Sequence, residues 1–264
     1  MPLPQVLSDE EMRRLAAQVM VPGAPEPFGA YVFRTGQPGA GLARSVETAV
    51  MWETFGDSPE ALSQEYGDYE HSSFFFCVLD HRRQLPAGMM RVIVPSPRGF
   101  KSLNDIEPVW GESAASVIER AGLAIDPTRT WDIATLAVAP EYRGKAARGL
   151  VTMGLYQSLI MAAFRCGVEW FVAIFDMPVL RLVRWKLRLT WTGFEGLAPT
   201  RYLGSVASIP AWCDLLEAER KLAKEDPDLY SILRFGEGLE PALRTVDLSD
   251  IGDLEVRSSE QAAG

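Results

Sequence analysis

Histidine and cysteine are both scarce in this chain, with two histidines and three cysteines among 264 residues. His71 and His81 stand outside any metal-ligand spacing, and neither has a nucleophile partner in sequence. That argues against a zinc site and against a Ser- or Cys-His triad. Cys77, Cys166 and Cys213 lie in apolar or amphipathic surroundings and read as buried free thiols of a reducing cytoplasm. No apolar run reaches the roughly 18 residues a membrane span needs, so none is expected. The opening Met-Pro-Leu-Pro-Gln has no charged segment followed by an apolar one, so no export signal is expected and the expected location is cytoplasmic. Positive charge is the other shortage. With 26 Lys+Arg against 35 Asp+Glu, the net charge of −9 excludes general nucleic-acid binding.

What is present is a large apolar fraction, 47%, enough for a sizeable core. The cations are gathered in two places, Arg143/Lys145/Arg148 and Arg181/Arg184/Lys186/Arg188. Local basic patches on an acidic chain suit a phosphorylated small molecule or an acidic partner domain. Ser8 with Glu10 and Glu11 starts a helix over 8–20, and a Pro/Gly-rich linker covers 21–29. Tyr31–Phe33 reads as a strand, 42–54 and 58–66 as helices, and 72–80 and 89–94 as the strands of a hairpin. Pro95, Pro97 and Gly99 make a loop before a helix near 112–121. A near-continuous apolar strand covers 169–175, a basic amphipathic helix 178–187, short strands 190–194 and 201–207, and a helix 210–224. This order predicts an α/β chain (α+β in its segregation): one mixed sheet with helices on both faces, and ligands near the carboxyl ends of the central strands.

The most informative stretch is 131–150, Trp-Asp-Ile-Ala-Thr-Leu-Ala-Val-Ala-Pro-Glu-Tyr-Arg-Gly-Lys-Ala-Ala-Arg-Gly-Leu. Strict alternation puts Asp132, Ala134, Leu136 and Val138 on one face of a strand, and Ile133, Thr135 and Ala137 on the other. Pro140 ends the ladder, and a helix opening at Arg143-Gly144-Lys145-Ala146-Ala147 is expected to run through Leu150, Leu155 and Leu159. Unpaired N–H groups, small residues and cations at such a start suit a phosphate.

Val138 to Ala147 resembles motif A of the GNAT acyltransferase superfamily, whose Arg/Gln-x-x-Gly-x-Gly/Ala loop grips the pyrophosphate of an acyl-coenzyme A. Arg143 and Gly144 match it, while Ala146 and Arg148 stand where the family has Gly and Gly or Ala. Over roughly 44–207 the chain is similar to the acyl-homoserine-lactone synthase and N-acyl amino acid synthase branch. Gly88–Pro95 resembles its Gly-x-x-Arg-Leu strand, and Asp132–Val138 its Glu-x-Ser-Arg-Phe-x-Val strand, with Asp for Glu, Ala134 for the hydroxyl residue and Thr135 for Arg. Trp52 and the Glu65/Asp68 pair are similar in kind to its N-terminal Trp and acidic cluster. The resemblance implies an N-terminal helix and linker (1–27), a GNAT-like domain (28–212) whose central parallel strands splay to hold an acyl-thioester, and a C-terminal helical extension (213–264).

It also implies roles. Asp132 is the candidate base or amine anchor, with Glu65 and Asp68 to bind an ammonium or relay its proton. Arg91 is the candidate to hold a substrate carboxylate, or else to pair with one of those acids. Val138 offers a backbone N–H to the thioester carbonyl, while Arg143, Gly144, Lys145, Ala146, Ala147 and Arg148 would seat the cofactor. Trp52 and Thr135 flank the substrate, and Trp170, Phe171, Phe175, Met153 and Trp185 are candidates to line an acyl tunnel. The helix 177–187 has no Tyr to protonate the leaving thiolate, an absence the lactone-synthase branch shares. The donor is expected to be a coenzyme A thioester or a phosphopantetheine-linked acyl group, the partner an amine or an acyl carrier protein, with no metal. An autoinducer synthase of the homoserine-lactone type, a non-catalytic acyl-thioester sensor and a short-donor protein N-acetyltransferase are the rival readings.

Overall fold

Ser8 and Glu11 cap each other's backbone and begin α1 (Asp9–Val19). In the computed structural model, which describes residues 7–144, 147 and 149–249, the chain continues through β1 (Phe28–Arg34), α2 (Pro38–Phe55) and α3 (Pro59–Tyr66), the last two each opened by a proline. The hairpin β2 (Ser73–Asp80) and β3 (Leu85–Ile93) is buried along its whole length. Three short helices follow, α4 (Lys101–Asn104), α5 (Ile106–Trp110) and α6 (Ala114–Arg120). Then come β4 (Thr130–Val138), α7 (Leu150–Arg165), β5 (Trp170–Asp176) and α8 (Met177–Leu187). The chain closes with β6 (Thr192–Gly193), β7 (Thr200–Tyr202), β8 (Ser205–Asp214), α9 (Leu215–Glu225), α10 (Pro227–Phe235) and β9 (Leu243–Arg244).

All the strands form one mixed sheet in the order β6-β8-β5-β4-β3-β2-β1-β9, with β7 against β8. β4 and β5 run parallel. One face packs under α2, through Leu42, Val46 and Val50 against Phe75, Cys77 and Met89. The other carries the larger core, where Val151, Leu155 and Leu159 of α7 meet Phe76, Val78, Val92 and Phe171. None of the described helices is long and apolar enough to cross a membrane.

Four expectations change. The ladder between β3 and β4 slips at Ala134, since Arg91 lies opposite Thr135 and Val92 opposite Ile133. This bulge puts Asp132 and Thr135 on the same face, where alternation had opposed them. α7 starts at Leu150, because Gly149 takes a left-handed conformation (φ 77°) just before it. The last long strand, β8, runs on to Asp214, so the helix expected from 210 starts at Leu215. Finally, the boundary expected at 213 falls inside that strand. Beyond it, the described residues to 249 are built into the same fold: α10 covers α7, and β9 adds an edge strand beside β1.

Candidate active site

β4 and β5 pair at three positions, Thr130 with Trp170, Trp131 with Phe171 and Asp132 with Val172. Beyond them the strands part. β4 stays paired to β3 as far as Val138, and β5 to β8 as far as Asp176. The edges of Ile133–Val138 and Ala173–Asp176 therefore face each other across a wedge with main-chain groups not spent on a ladder. Tyr66 reaches the bulge from α3, its hydroxyl donating to the Ala134 carbonyl at 3.4 Å.

Asp132 sits at the vertex of the wedge, with no solvent exposure. The Ser102 N–H donates to Oδ2 at 2.8 Å and the Ser102 hydroxyl to Oδ1 at 2.6 Å. Burial pushes the Asp132 carboxyl up to about 6, against the pull of those bonds and of Lys101. Lys101, next along α4, is itself buried and meets Glu65 at 2.8 Å, Asp105, and the Tyr202 hydroxyl at 2.8 Å. Burial works against its charge, but the bonds to Asp105 and Glu65 outweigh that and hold its ammonium above the usual range. So α4 joins Asp132 to Glu65. Asp68 stands apart, 61% exposed and paired with the equally exposed Arg98.

Arg91 is committed to the chain's own acids. Its Nε and one terminal nitrogen donate to both oxygens of Glu47 at 3.0 and 2.7 Å. The other terminal nitrogen donates to Glu70 at 2.9 Å and to Ser73 at 3.3 Å. Arg44 completes Glu70, and the Thr135 hydroxyl donates to Glu47. The guanidinium lies between the rings of Tyr66 and Phe75, 4.6 and 4.7 Å from their centroids. Its acid partners are therefore Glu47 and Glu70, not Glu65 or Asp68. Sequence reading missed both, as it missed Lys101, Ser102 and Tyr66. One signal was available: an arginine inside a wholly apolar strand demands buried carboxylates, and Glu47 interrupts the apolar stripe of α2.

At the open end of the wedge, the Arg143 Nε–H donates to the Val138 carbonyl at 2.7 Å, and the guanidinium meets Glu53 at 3.6 Å. Gly144 is left-handed at φ 63°, and Ala147 is buried. Lys145, Ala146 and Arg148 lie outside the described residues. Tyr142 anchors the loop, donating to Asp80 at 3.0 Å and accepting from Arg83 at 3.2 Å. α7 enters this region with no acidic residue in its first turn and no side-chain cap. Trp52 is 60% exposed, next to the Glu53 that meets Arg143.

The aromatic candidates divide. Phe175 lies in the parted segment, edge-on to Trp191 at 4.7 Å. Trp170 is at the zipped end against Trp212, away from the wedge, and Trp185 is 71% exposed. Met153 is half-buried against the core under α7. Among the described residues, no group of His, Cys, Asp and Glu could hold a metal ion.

No family model matches the chain, and no curated protein does. Among solved structures, the chain is similar to FeeM, an N-acyl amino acid synthase from uncultured soil microbes. The two are 13% identical over 73% of this chain and 93% of that one, with a TM-score of 0.51. A structure of BjaI, a CoA-dependent acyl-homoserine lactone synthase, is also 13% identical, over 83% of this chain and 92% of that one, with a TM-score of 0.48. The chain has the GNAT fold that its residues after β4 imply.

Proposed function

We propose that this chain is an N-acyltransferase, moving an acyl group from a coenzyme A or carrier-protein thioester to the amine of a small molecule of the amino-acid class. The observation that carries the reading is the parting of β4 from β5 after Asp132, with a buried carboxyl of raised pKa at the vertex. The likeness to FeeM supports the amine class, since that protein is an N-acyl amino acid synthase.

The residues divide the chemistry as follows. A free edge of β4 near Val138 offers an N–H to polarise the thioester carbonyl as the oxyanion develops. Asp132 takes the proton from the incoming ammonium. A carboxylate has about four acceptor positions, of which Ser102 uses two, so capacity remains for the amine. A thiol of pKa about 8.5 leaves near neutrality without an acid, consistent with an α8 that holds no tyrosine. Arg143, Gly144 and the start of α7 face the cofactor's phosphates, and Arg91 holds Glu47 and Thr135 in place beneath the acceptor.

Incubation of the protein with a panel of acyl thioesters and amines tests this. Thiol release that requires both partners supports it. No release with any pair, together with no thermal shift on adding coenzyme A, overturns it.

A further inference from the structure

Leu182 and Trp185 of α8 are 50% and 71% exposed, and no other described helix exposes two large apolar side chains. Leu180, Val183 and Leu187 fill the core beneath them. Spacings of four and three residues put Pro178, Leu182 and Trp185 in one line along the outward face. At about 100° per residue, the exposed Arg181 flanks that line on one side and the exposed Lys186 on the other. The Lys186 ammonium stands over the Trp185 ring, 5.2 Å from its centroid.

The charge on α8 is one-sided too. The helix carries Arg181, Arg184 and Lys186 and no acid, and none of the three forms an ion pair with a described residue. Arg188, just past its end, is by contrast paired with Asp226 at 3.2 Å. The helix dipole favours Arg184 and Lys186 in the last turn, but it accounts for neither Arg181 nor the apolar line. The chain as a whole carries −9, so an anionic surface is repelled by most of the molecule and drawn to this face. The helix is also held in place. Asp176 at its start accepts from the Ser205 hydroxyl at 2.5 Å, and the Arg184 Nε–H donates to the Trp191 carbonyl at 2.8 Å.

A fixed convex ridge with an indole at its crest needs a partner that yields around it. The headgroup layer of a bilayer does so: it seats indoles and leaves flanking cations at the level of the phosphates. We propose that α8 docks this protein on an anionic lipid bilayer, with Leu182 and Trp185 in the headgroup layer and Arg181, Arg184 and Lys186 against the lipid phosphates. α8 begins where β5 ends, at the open end of the wedge, so the docked face adjoins the mouth of the site. The proposal concerns this surface and does not rest on the acyltransferase reading.

The test is co-sedimentation of the full-length protein with vesicles of phosphatidylcholine, either alone or mixed with phosphatidylglycerol. At about fivefold per cation, the mixed vesicles should bind roughly a hundredfold tighter, and added salt should erase the difference. The double variant Arg181→Glu/Lys186→Glu should lose the preference for anionic vesicles. Trp185→Ala should weaken binding to them about tenfold. These side chains face solvent, so both variants should melt with the parent, which separates lost docking from lost folding. Equal sedimentation of the parent with the two kinds of vesicle overturns the proposal, as does parent-like binding by both variants. Binding of a soluble acidic carrier protein that the same substitutions abolish, with no sedimentation on vesicles, gives the face to a protein partner and overturns the bilayer.

Discussion

The two sides of the sheet at β4 differ in what they carry. On the side of α2 and α4, beside apolar residues such as Val172 of β5, Asp132 and Thr135 of β4 join Arg91 of β3, Glu47 of α2 and Glu70 in a buried ionic group, bonded to one another or to Ser102. Under α7 and α8 lie Trp131, Ile133, Phe171 and Phe175, within an almost wholly apolar core. The wedge between the strands opens both faces onto one point. Acyl transfer asks for that division: the amine needs a base and ionic order, while the acyl chain needs an apolar run. The bulge at Ala134 strengthens the contrast by moving Thr135 onto the face of Asp132.

The largest expected effect comes from neutralising the vertex. Asp132→Asn should lower kcat by 10²- to 10⁴-fold, the usual worth of a positioned base, and leave coenzyme A binding in place. In the parent, kcat/KM should rise with pH through about 6 and then level, because the carboxyl must be ionised to accept the proton. The stability effect has the opposite sign. A carboxyl held near 6 when folded and near 3.8 when unfolded keeps its proton better in the folded state. Its contribution is fully present below about 3.8 and is lost as pH rises toward 6, about 3 kcal/mol at roughly 1.4 kcal/mol per pH unit. Asparagine carries no charge to bury, so the variant should melt higher than the parent at pH 7 while being nearly inactive. Lower melting with full activity would make Asp132 a structural residue.

Next is Arg91→Met, which asks whether the ionic face holds itself together or waits for substrate. Removing one partner of a buried ion pair costs about 3–5 kcal/mol, and here two carboxylates would lose their cation. In a chain of this size that lowers the melting temperature by roughly 10 °C. A variant with unchanged melting and a raised KM for an acceptor bearing a carboxylate would instead return Arg91 to the substrate.

The apolar face was the more legible of the two in sequence. Its strands read as near-continuous apolar runs, and of the five side chains that the resemblance offered for an acyl tunnel, Phe175 lies in the parted segment of β5. The end of β4 at Val138, with a turn from Pro140, also follows the sequence pattern. The ionic face was harder for local reasons. One inserted residue at Ala134 reverses the side on which everything before it points, and periodicity cannot register a bulge. α4 and α5 have four and five residues, too few to carry a helical stripe, so Lys101 and Ser102 read as part of a Pro/Gly loop. Glu47 and Glu70 are 44 and 21 positions from Arg91, and only the folded sheet brings them to it.

The smallest effects separate the two acids that sequence alone treated as a pair. Glu65 holds the buried Lys101, so Glu65→Gln should loosen α4 and, through Ser102, the seat of Asp132. Because Glu65 is about one-third exposed and Asp105 also holds Lys101, the loss should be only about 1 kcal/mol, near 3 °C of melting temperature. A fall of a few-fold in kcat should accompany it. Asp68→Asn breaks an ion pair whose members are both 61% exposed, and such pairs contribute little. Its melting curve and kcat should match the parent's. If Asp68→Asn instead lowers kcat while Glu65→Gln does not, the amine enters past Arg98, and the ionic face is scaffold alone.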